Sequence, residues 1–119
     1  MQTMKIETDN GNIAVVYSDV PVIVDGQSAL DFAVNIGHEH GCSNIIVNKA
    51  AIIEDFFNLS TGVAGEVVQK FVNFGYHLAI VGDFTVYTSE ALQAFIYESN
   101  RGKYLYFAAD EDEAVNKLR

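Results

Sequence analysis

Two hydroxyl side chains stand among glycines near the middle of the chain, within residues 58–65. Ser60 and Thr61 fall at the predicted start of a helix, where backbone N–H groups lack partners and the helix dipole is positive. Either hydroxyl would serve as an ordinary N-cap. The alternative is an anion site, in which the small Gly62 lets a phosphate, bound or covalently attached, approach the helix end. The segment lacks the Gly-Lys-Ser/Thr of a P-loop and the glycine fingerprint of a Rossmann fold, so neither motif applies.

A second group of polar residues could line the pocket of a small-molecule-binding protein or an enzyme. The candidate pocket residues are Glu54, Asp55, Asp83, Asn100 and Arg101. They lie near predicted strand and helix ends, and strand ends are a usual ligand location in α/β sheets. The alternative is structural. Glu54 and Asp55 then belong to a polar loop anchored by Phe56 and Phe57, and Asn100 and Arg101 cap a helix C-terminus.

Histidine and cysteine cluster in residues 38–42, but their spacing does not suit a metal ion. His38 and His40 are two residues apart, whereas ligand pairs on a helix are four apart, and Gly41 is expected to end the helix before Cys42. We therefore expect solvated histidines at a helix C-terminus and neither a metal nor a cofactor. Cys42 is expected to be a small, buried or half-buried residue, and no catalytic residue is assigned.

The elements that must position these residues alternate along the chain. Strands are predicted at residues 3–8, 13–17, 44–48, 78–81 and 104–108, with a turn at residues 9–11. Helices are predicted from Ser28 to about Gly41 and at residues 60–73, 89–100 and 110–118. This order predicts an α/β fold: a mixed sheet of about five strands with an N-terminal hairpin, right-handed parallel crossovers and four helices. Residues 45–47 form the apolar run of a central strand covered on both faces.

Apolar spacing predicts which helix faces are buried. In the first helix, Ser28 and Asp31 form a weak capping box. Its inward stripe comprises Leu30, Ala33, Val34 and Gly37, widened by Phe32 and Ile36. In the second helix, the residues at helical spacing are Val63, Val67, Phe71 and Phe74.

Composition limits the classes of partner. The chain has 119 residues, half of them hydrophobic, which predicts a single domain over residues 1–119. A net charge of −9 argues against nucleic acid and anionic membrane surfaces. No secretory signal or membrane-spanning apolar run is present, which predicts a cytoplasmic location. A protein partner is expected, and a homo-oligomer is left open.

Three segments resemble a bacterial family catalogued as domain of unknown function 4180. They are residues 54–62, with the sequence Glu-Asp-Phe-Phe-Asn-Leu-Ser-Thr-Gly, residues 79–84 and residues 95–102. The resemblance extends over nearly the whole chain, and it implies no established activity.

More remotely, the chain resembles the STAS domain of bacterial anti-sigma-factor antagonists. In those proteins an Asp-Ser-Ser-Gly-Leu motif opens a helix, and a partner kinase phosphorylates its second serine. Residues 60–63 fall at that place, with Thr61 at the acceptor position and Leu59 in place of the aspartate. The resemblance implies a STAS-like regulatory module that binds a protein through the helix starting near Ser60, with Ser60, Thr61 and Gly62 as the contact or phospho-acceptor residues.

Overall fold

A five-stranded sheet forms the centre of the computed structural model, which describes residues 1–119. The strands are β1 (Gln2–Thr8), β2 (Gly11–Tyr17), β3 (Asn44–Asn48), β4 (His77–Val81) and β5 (Leu105–Ala108). The helices are α1 (Gly26–His40), α2 (Val63–Phe74), α3 (Glu90–Asn100) and α4 (Glu111–Leu118). Three short 3₁₀ turns, Lys49–Ala51, Glu54–Phe57 and Leu59–Thr61, connect β3 to α2. The predicted element order and the mixed α/β sheet are confirmed.

The strands lie side by side in the order in which they occur along the chain. β1 pairs antiparallel with β2, and every other neighbouring pair is parallel. Each parallel crossover moves one strand further in the same direction. Right-handed crossovers of this kind place their helices on one face of the sheet. They also bring the carboxyl ends of β2 to β5 to one edge, which we call the carboxyl edge.

Apolar side chains form a separate cluster on each face of the sheet. The larger has 23 buried residues and joins Ile45 and Val47 of the central strand to residues of α1, α2 and α3. The smaller has six buried residues and joins Ile46 to Ala114 and Leu118 of α4. The central strand is therefore covered on both faces, as its apolar run predicted.

The first two helices begin at residues that differ from those predicted. Asp25 caps α1 by accepting the Ser28 N–H at 2.7 Å, and the Ser28 hydroxyl accepts the Asp25 N–H at 3.0 Å. Ser28 thus occupies position N3 of the capping box and not the N-cap position, and the prediction for Asp31 was wrong. Helix α2 begins at Val63, three residues after the predicted start, because Gly62 has a φ of 82° and interrupts the helical backbone.

The predicted buried stripes are correct for most of their residues. Ala33, Ile36 and Gly37 are buried in α1, but Leu30 is only half-buried and Val34 is exposed. Val63, Val67 and Phe71 are buried in α2, but the Phe74 side chain is exposed. Phe74 is the last residue of α2, immediately before Gly75 turns the chain away with a φ of 75°.

Residues 20–24, for which the sequence predicted no element, tie the start of α1 to the segment after β3. Ile23 forms a parallel bridge with Ile52, and the Ile53 N–H donates to the Ile23 carbonyl at 2.9 Å. Val22 and Ile23 both donate to the Ala51 carbonyl. None of the helices combines the length and apolar character that a membrane crossing requires.

Candidate functional site

Most of the predicted site residues come together at the carboxyl edge. Three loops leave the sheet there, namely residues 18–25 after β2, residues 49–62 after β3 and residues 82–89 after β4. The first loop is held to β3 by Asn48, whose amide group accepts the Ser18 N–H at 2.9 Å and donates to the Ser18 carbonyl at 2.6 Å. This edge is the place where open α/β sheets bind ligands.

Thr61 is exposed, but its hydroxyl is fully engaged within its own loop. Oγ1 lies 2.7 Å from the Asp55 carbonyl and 2.9 Å from the Asn58 carbonyl, to which it donates, and it accepts the Val63 N–H at 3.3 Å. Thr61 is not the N-cap residue that the sequence predicted, because Gly62 holds that position and α2 has no side-chain N-cap. Thr61 accepts the first N–H of α2 from the preceding 3₁₀ turn, and its hydroxyl has no proton left to donate elsewhere.

Ser60 has a smaller structural role than Thr61. Its hydroxyl donates to Asn58 Oδ1 at 2.7 Å, and the same oxygen accepts the Ser60 N–H at 3.2 Å. Ser60 therefore accepts no backbone N–H, and Asn58 caps the short turn Leu59–Thr61. Ser60, Thr61 and Gly62 all remain exposed to solvent.

A cluster of Lys49, Glu54 and Tyr87 joins the second loop to the third. The Tyr87 hydroxyl donates to the Glu54 carboxylate, 2.7 Å from Oε2 and 3.1 Å from Oε1. The Tyr87 ring stacks on Phe57 with centroids 5.1 Å apart, and Lys49 Nζ lies 4.7 Å from the Tyr87 centroid. Burial raises the pKa of Tyr87, and the hydrogen bond and charge of Glu54 raise it further. The phenol thus stays protonated, and the cluster clamps the two loops together.

Lys49 reaches this position because Gly82 leaves room for it. A Cβ atom on Gly82 would lie 2.7 Å from the Lys49 Cβ, inside van der Waals contact. The next residue, Asp83, accepts the Thr85 N–H at 2.9 Å and the Thr85 hydroxyl at 2.6 Å. These two hydrogen bonds from Thr85 lower the pKa of Asp83, and the positive charge of Lys49 lowers it further.

A shallow cleft lies beside Asp83, between the loop after β4 and the end of β5. Its volume is about 360 Å³, it is open to solvent, and its walls are mostly apolar, with Phe84, Ile96 and Phe107 among them. Glu54 and Asp55 do not line it. Asp55 is exposed, while Phe56 and Phe57 are buried beneath it, as the structural interpretation of this loop predicted.

Asn100 and Arg101 lie away from the other predicted pocket residues. Helix α3 runs back along the sheet from the carboxyl edge, so its last residues belong to the opposite end. Asn100 Oδ1 accepts the Phe107 N–H of β5 at 2.8 Å, and the Arg101 guanidinium lies 5.6 Å from the Tyr97 ring centroid. Asn100 is the last residue of α3 and has helical geometry. Both residues therefore complete the end of α3.

The His38–Cys42 segment closes α1 as predicted, but only one of its two histidines is solvated. His38 is exposed, whereas His40 is half-buried, and its Nε2 is buried without a hydrogen-bond partner, 3.8 Å from Glu39 Oε1. Gly41 ends the helix with a φ of 63°. Cys42 is half-buried, and burial raises the pKa of its thiol, which does not favour a nucleophilic thiolate. No group of three or more His, Cys, Asp and Glu residues is arranged to hold a metal ion.

Lys49 and Tyr87 are the residues of this edge that the sequence prediction missed. Lys49 directly follows the buried strand β3, and a charged side chain at the carboxyl end of a parallel strand is a signal for a site. Tyr87 carries no such signal, because it lies in a loop 33 positions after its hydrogen-bond partner Glu54. Only the packing of the two loops brings it to the cluster.

Comparison with known proteins identifies a family and nothing finer. The family model described as "Domain of unknown function (DUF4180)" matches residues 8–118. The searches of curated proteins and of solved structures found no match.

Proposed function

The chain belongs to the family Domain of unknown function (DUF4180), and we propose that this domain is a regulatory protein-interaction module with a STAS-like fold. Its contact surface is the segment of residues 59–62, together with the first turn of α2. The observation that carries the proposal is that Ser60, Thr61 and Gly62 are all exposed on a turn that precedes a helix N-terminus. The resemblance of this segment to the phospho-acceptor motif of anti-sigma-factor antagonists supports the regulatory part.

The shape of the carboxyl edge also supports binding to a protein surface. The cleft beside Asp83 is shallow and open, so it would leave much of a small molecule in solvent. Small-molecule sites usually bury most of their ligand. By contrast, Gly65 is exposed in the first turn of α2, and its amide group has no hydrogen-bond partner in the chain. An acceptor group on a partner could bind to this amide.

Thr61 is the residue at which modification would regulate this surface. A phosphate ester removes the hydroxyl proton, so Oγ1 could no longer donate to the carbonyl groups of Asp55 and Asn58. It also brings about −1.5 to −2 charges close to those two carbonyl oxygens. We therefore expect phosphorylation to open the turn Leu59–Thr61 and change the contact surface.

Site-specific photocrosslinking in cells of a host that encodes the protein tests the contact surface. A photoreactive phenylalanine analogue is placed at Ser60, and a matched variant carries it at Asn73, which is exposed at the other end of α2. We expect a discrete crosslinked protein from position 60 that is absent from position 73. Adding Thr61→Glu should abolish that product, whereas Thr61→Ser should retain it because a serine hydroxyl can still donate to the Asp55 carbonyl.

The opposite pattern would contradict the proposal. If position 73 crosslinks as strongly as position 60, or if Thr61→Glu leaves the crosslink unchanged, residues 59–62 are not the contact surface. Circular dichroism on each purified variant shows whether a lost crosslink reflects unfolding of the variant or loss of contact with the partner.

A second candidate function is the binding of a small anionic molecule at the carboxyl edge. It is favoured by Lys49, whose ammonium group forms no ion pair within 4.0 Å, lies 4.7 Å from the Tyr87 ring centroid and is close enough to Asp83 to lower the pKa of that carboxyl. A screen of phosphorylated and carboxylated metabolites by thermal shift tests it. This candidate function requires a ligand that raises Tm in the wild type but not in Lys49→Met. The control variant Lys103→Met, at the opposite end of the sheet, should still show the rise in Tm.

A further inference from the structure

The first strand, β1, is an uncovered edge of the sheet. β1 and β5 are the two edge strands, and they differ in length and in whether a side chain bonds to the backbone groups on their outer side. β5 has four residues, and the Asn100 side chain accepts the Phe107 N–H on its outer side. β1 has seven residues, none of them buried, and the side-chain hydrogen bonds near it stay within the turn at Thr8. An edge of this length is a template for pairing with another strand.

The register of the hairpin shows which backbone groups of β1 are free. Thr8 is paired with Gly11 across a two-residue connection, which makes them a hydrogen-bonded pair. Residues along an antiparallel pair then alternate, so Ile6 and Met4 also bond to β2. The N–H and C=O groups of Thr3, Lys5 and Glu7 therefore point away from the sheet.

We propose that the chain forms a symmetric dimer in which β1 pairs antiparallel with β1 of a second copy. Such pairing is isologous, since every contact from one copy is repeated by the other. The two five-stranded sheets would join into one continuous sheet. This surface lies at the strand edge and is separate from residues 59–62 at the start of α2, so it could form whether or not that segment binds a partner.

Charge selects one register for this pairing. Lys5 and Glu7 are both exposed on the same face of β1, and Lys5 Nζ lies 3.6 Å from Glu7 Oε1 within one chain. In the register centred on Ile6, Lys5 lies opposite Glu7 of the second copy, and Glu7 lies opposite its Lys5. Two cross-strand pairs of opposite charge result, both at hydrogen-bonded positions. In the register centred on Lys5, the two lysines would face each other and repel.

The other face of β1 supports the same register. Met4 and Ile6 share that face with Val15 and Tyr17 of β2, and α4 does not cover this end of it. The Met4 side chain is 51% exposed, which is unusual for a large apolar residue on a sheet face. With Ile6 at the centre of the pairing, Ile6 lies directly opposite Ile6 of the second copy. Its half-buried side chain would become covered on dimerisation.

A lysine on an edge strand usually prevents unwanted pairing. Here Lys5 disfavours the register that places it opposite another lysine, while Glu7 two residues later favours the register centred on Ile6. The combination therefore favours one mode of pairing and does not simply block the edge.

Charge reversal with rescue tests the dimer and its register together. Sedimentation velocity is measured on the wild type, on Lys5→Glu, on Glu7→Lys and on the double variant. At about 100 µM protein we expect a populated dimer for the wild type, as for a transient interface of modest area. Each single variant sets like charges opposite each other twice per dimer and should weaken association about tenfold or more. The double variant restores both pairs and should return to within a few-fold of the wild type.

Matched controls separate the register from net charge. Lys103→Glu and Glu98→Lys make the same changes in charge on exposed residues away from β1, and they should leave association unchanged. Amide hydrogen exchange at Lys5 and Glu7 should slow as wild-type concentration rises.

Specific results would overturn the proposal. The proposal fails if the wild type stays monomeric at 100 µM or if the single charge-reversal variants associate as tightly as the wild type. It also fails if the double variant associates as weakly as the single variants. Far-UV circular dichroism must show that each variant keeps the folded spectrum, and a variant that unfolds is replaced by Lys5→Gln with Glu7→Gln. These glutamine substitutions should weaken association less than either charge reversal. If the glutamine variant associates as tightly as the wild type, that result would also count against the register that sets Lys5 opposite Glu7.

Discussion

Thr61 combines an exposed position with hydrogen bonds that its own loop needs. The hydroxyl donates to the carbonyls of Asp55 and Asn58 and accepts the Val63 N–H, so it connects the turn Glu54–Phe57 to α2. A residue of this kind can couple a change at the surface to the conformation beneath it. This coupling is what a regulatory site requires, and a freely rotating serine or threonine on a helix would lack it.

The structural part of this argument is tested by substitution at Thr61. Thr61→Val keeps the shape but removes the hydroxyl, and we expect it to lower the free energy of unfolding by about 1–2 kcal/mol. Thr61→Glu should cost at least as much, because its carboxylate lies near the same carbonyl oxygens. Thr61→Ser should cost less than either. Urea denaturation measures all three, and a Thr61→Val midpoint equal to that of the wild type would show that these hydrogen bonds contribute nothing.

Tyr87 and Glu54 predict a specific dependence of stability on high pH. Burial and Glu54 raise the pKa of Tyr87 in the folded state, so the folded protein holds this proton more tightly than the unfolded chain. The resulting stabilisation is complete below the unfolded pKa of about 10 and is lost as pH rises towards the folded pKa. In Glu54→Gln the pKa of Tyr87 should fall, and the decline of stability above pH 10 should become smaller.

Titration of the tyrosine ring carbons by NMR checks this prediction directly. Tyr87 should titrate at higher pH in the wild type than in Glu54→Gln, and Tyr87→Phe identifies its signal. Tyr106, whose pKa is raised by burial alone, is the internal control and should not respond to Glu54→Gln. Identical titrations of Tyr87 in the two proteins would mean that Glu54 does not contact the phenol in solution.

Two helical glycines illustrate how the elements are fitted to their surroundings. Gly37 lies inside α1, where a Cβ atom would come 2.6 Å from the Cys42 carbonyl oxygen. Gly65 lies in the first turn of α2, where a Cβ atom would meet nothing within 4 Å. The first glycine lets the chain turn closely back towards β3, whereas the second only reduces helix propensity.

Alanine substitution should therefore have opposite effects at the two positions. Gly37→Ala should destabilise the protein by about 1–3 kcal/mol, because Cys42 backbone atoms would have to move. Gly65→Ala should stabilise it by about 0.5–1 kcal/mol through better helix propensity. The two urea midpoints provide the comparison, and shifts in the same direction would contradict this account of the close approach at Gly37.

At the scale of the whole molecule, the larger apolar cluster under α1, α2 and α3 carries most of the core. Phe71 of α2 lies within it and is 1% exposed, while Phe74 of the same helix is 57% exposed. Phe71→Ala should lower the free energy of unfolding by about 3–5 kcal/mol. Phe74→Ala should cost less than about 1 kcal/mol, since it opens no cavity. Denaturant unfolding of this pair tests the buried face, and equal costs would show that it has been assigned wrongly.

Charge across the whole molecule gives a further prediction, that the protein does not bind nucleic acid at physiological salt. The net charge is −9, and nucleic-acid affinity depends mainly on neutralised phosphates. The strongest contrary feature is a cleft lined by Lys103, Lys117 and Arg119. Fluorescence anisotropy with single- and double-stranded oligonucleotides at about 150 mM salt checks the prediction. Salt-sensitive submicromolar binding that is lost in Lys117→Glu would overturn it.

Local sequence patterns were sufficient to predict the order and type of the elements. Period-two alternation in β1, the continuous apolar run of β3 and helical spacing in α2 are local signals, and each specifies its element without reference to the rest of the chain. The same holds for the α2 residues Val63, Val67 and Phe71, which are buried as predicted. Helix starts were predicted less well. Asp25 and Ser28 each accept the other's backbone N–H, and because either residue type can begin a helix, the sequence alone does not show which of them is the N-cap.

Which polar residues share a site depends instead on how the elements pack together. Glu54 and Asp83 lie at the carboxyl edge, but Asn100 and Arg101 do not, since a helix that returns along the sheet places its two ends at opposite edges. Tyr87 joins Glu54 through the packing of two loops, and Asn100 meets Phe107 through the position of β5 at the edge. Contacts of this kind depend on which strands are neighbours and on how loops pack, and neither is encoded in the local spacing of residues.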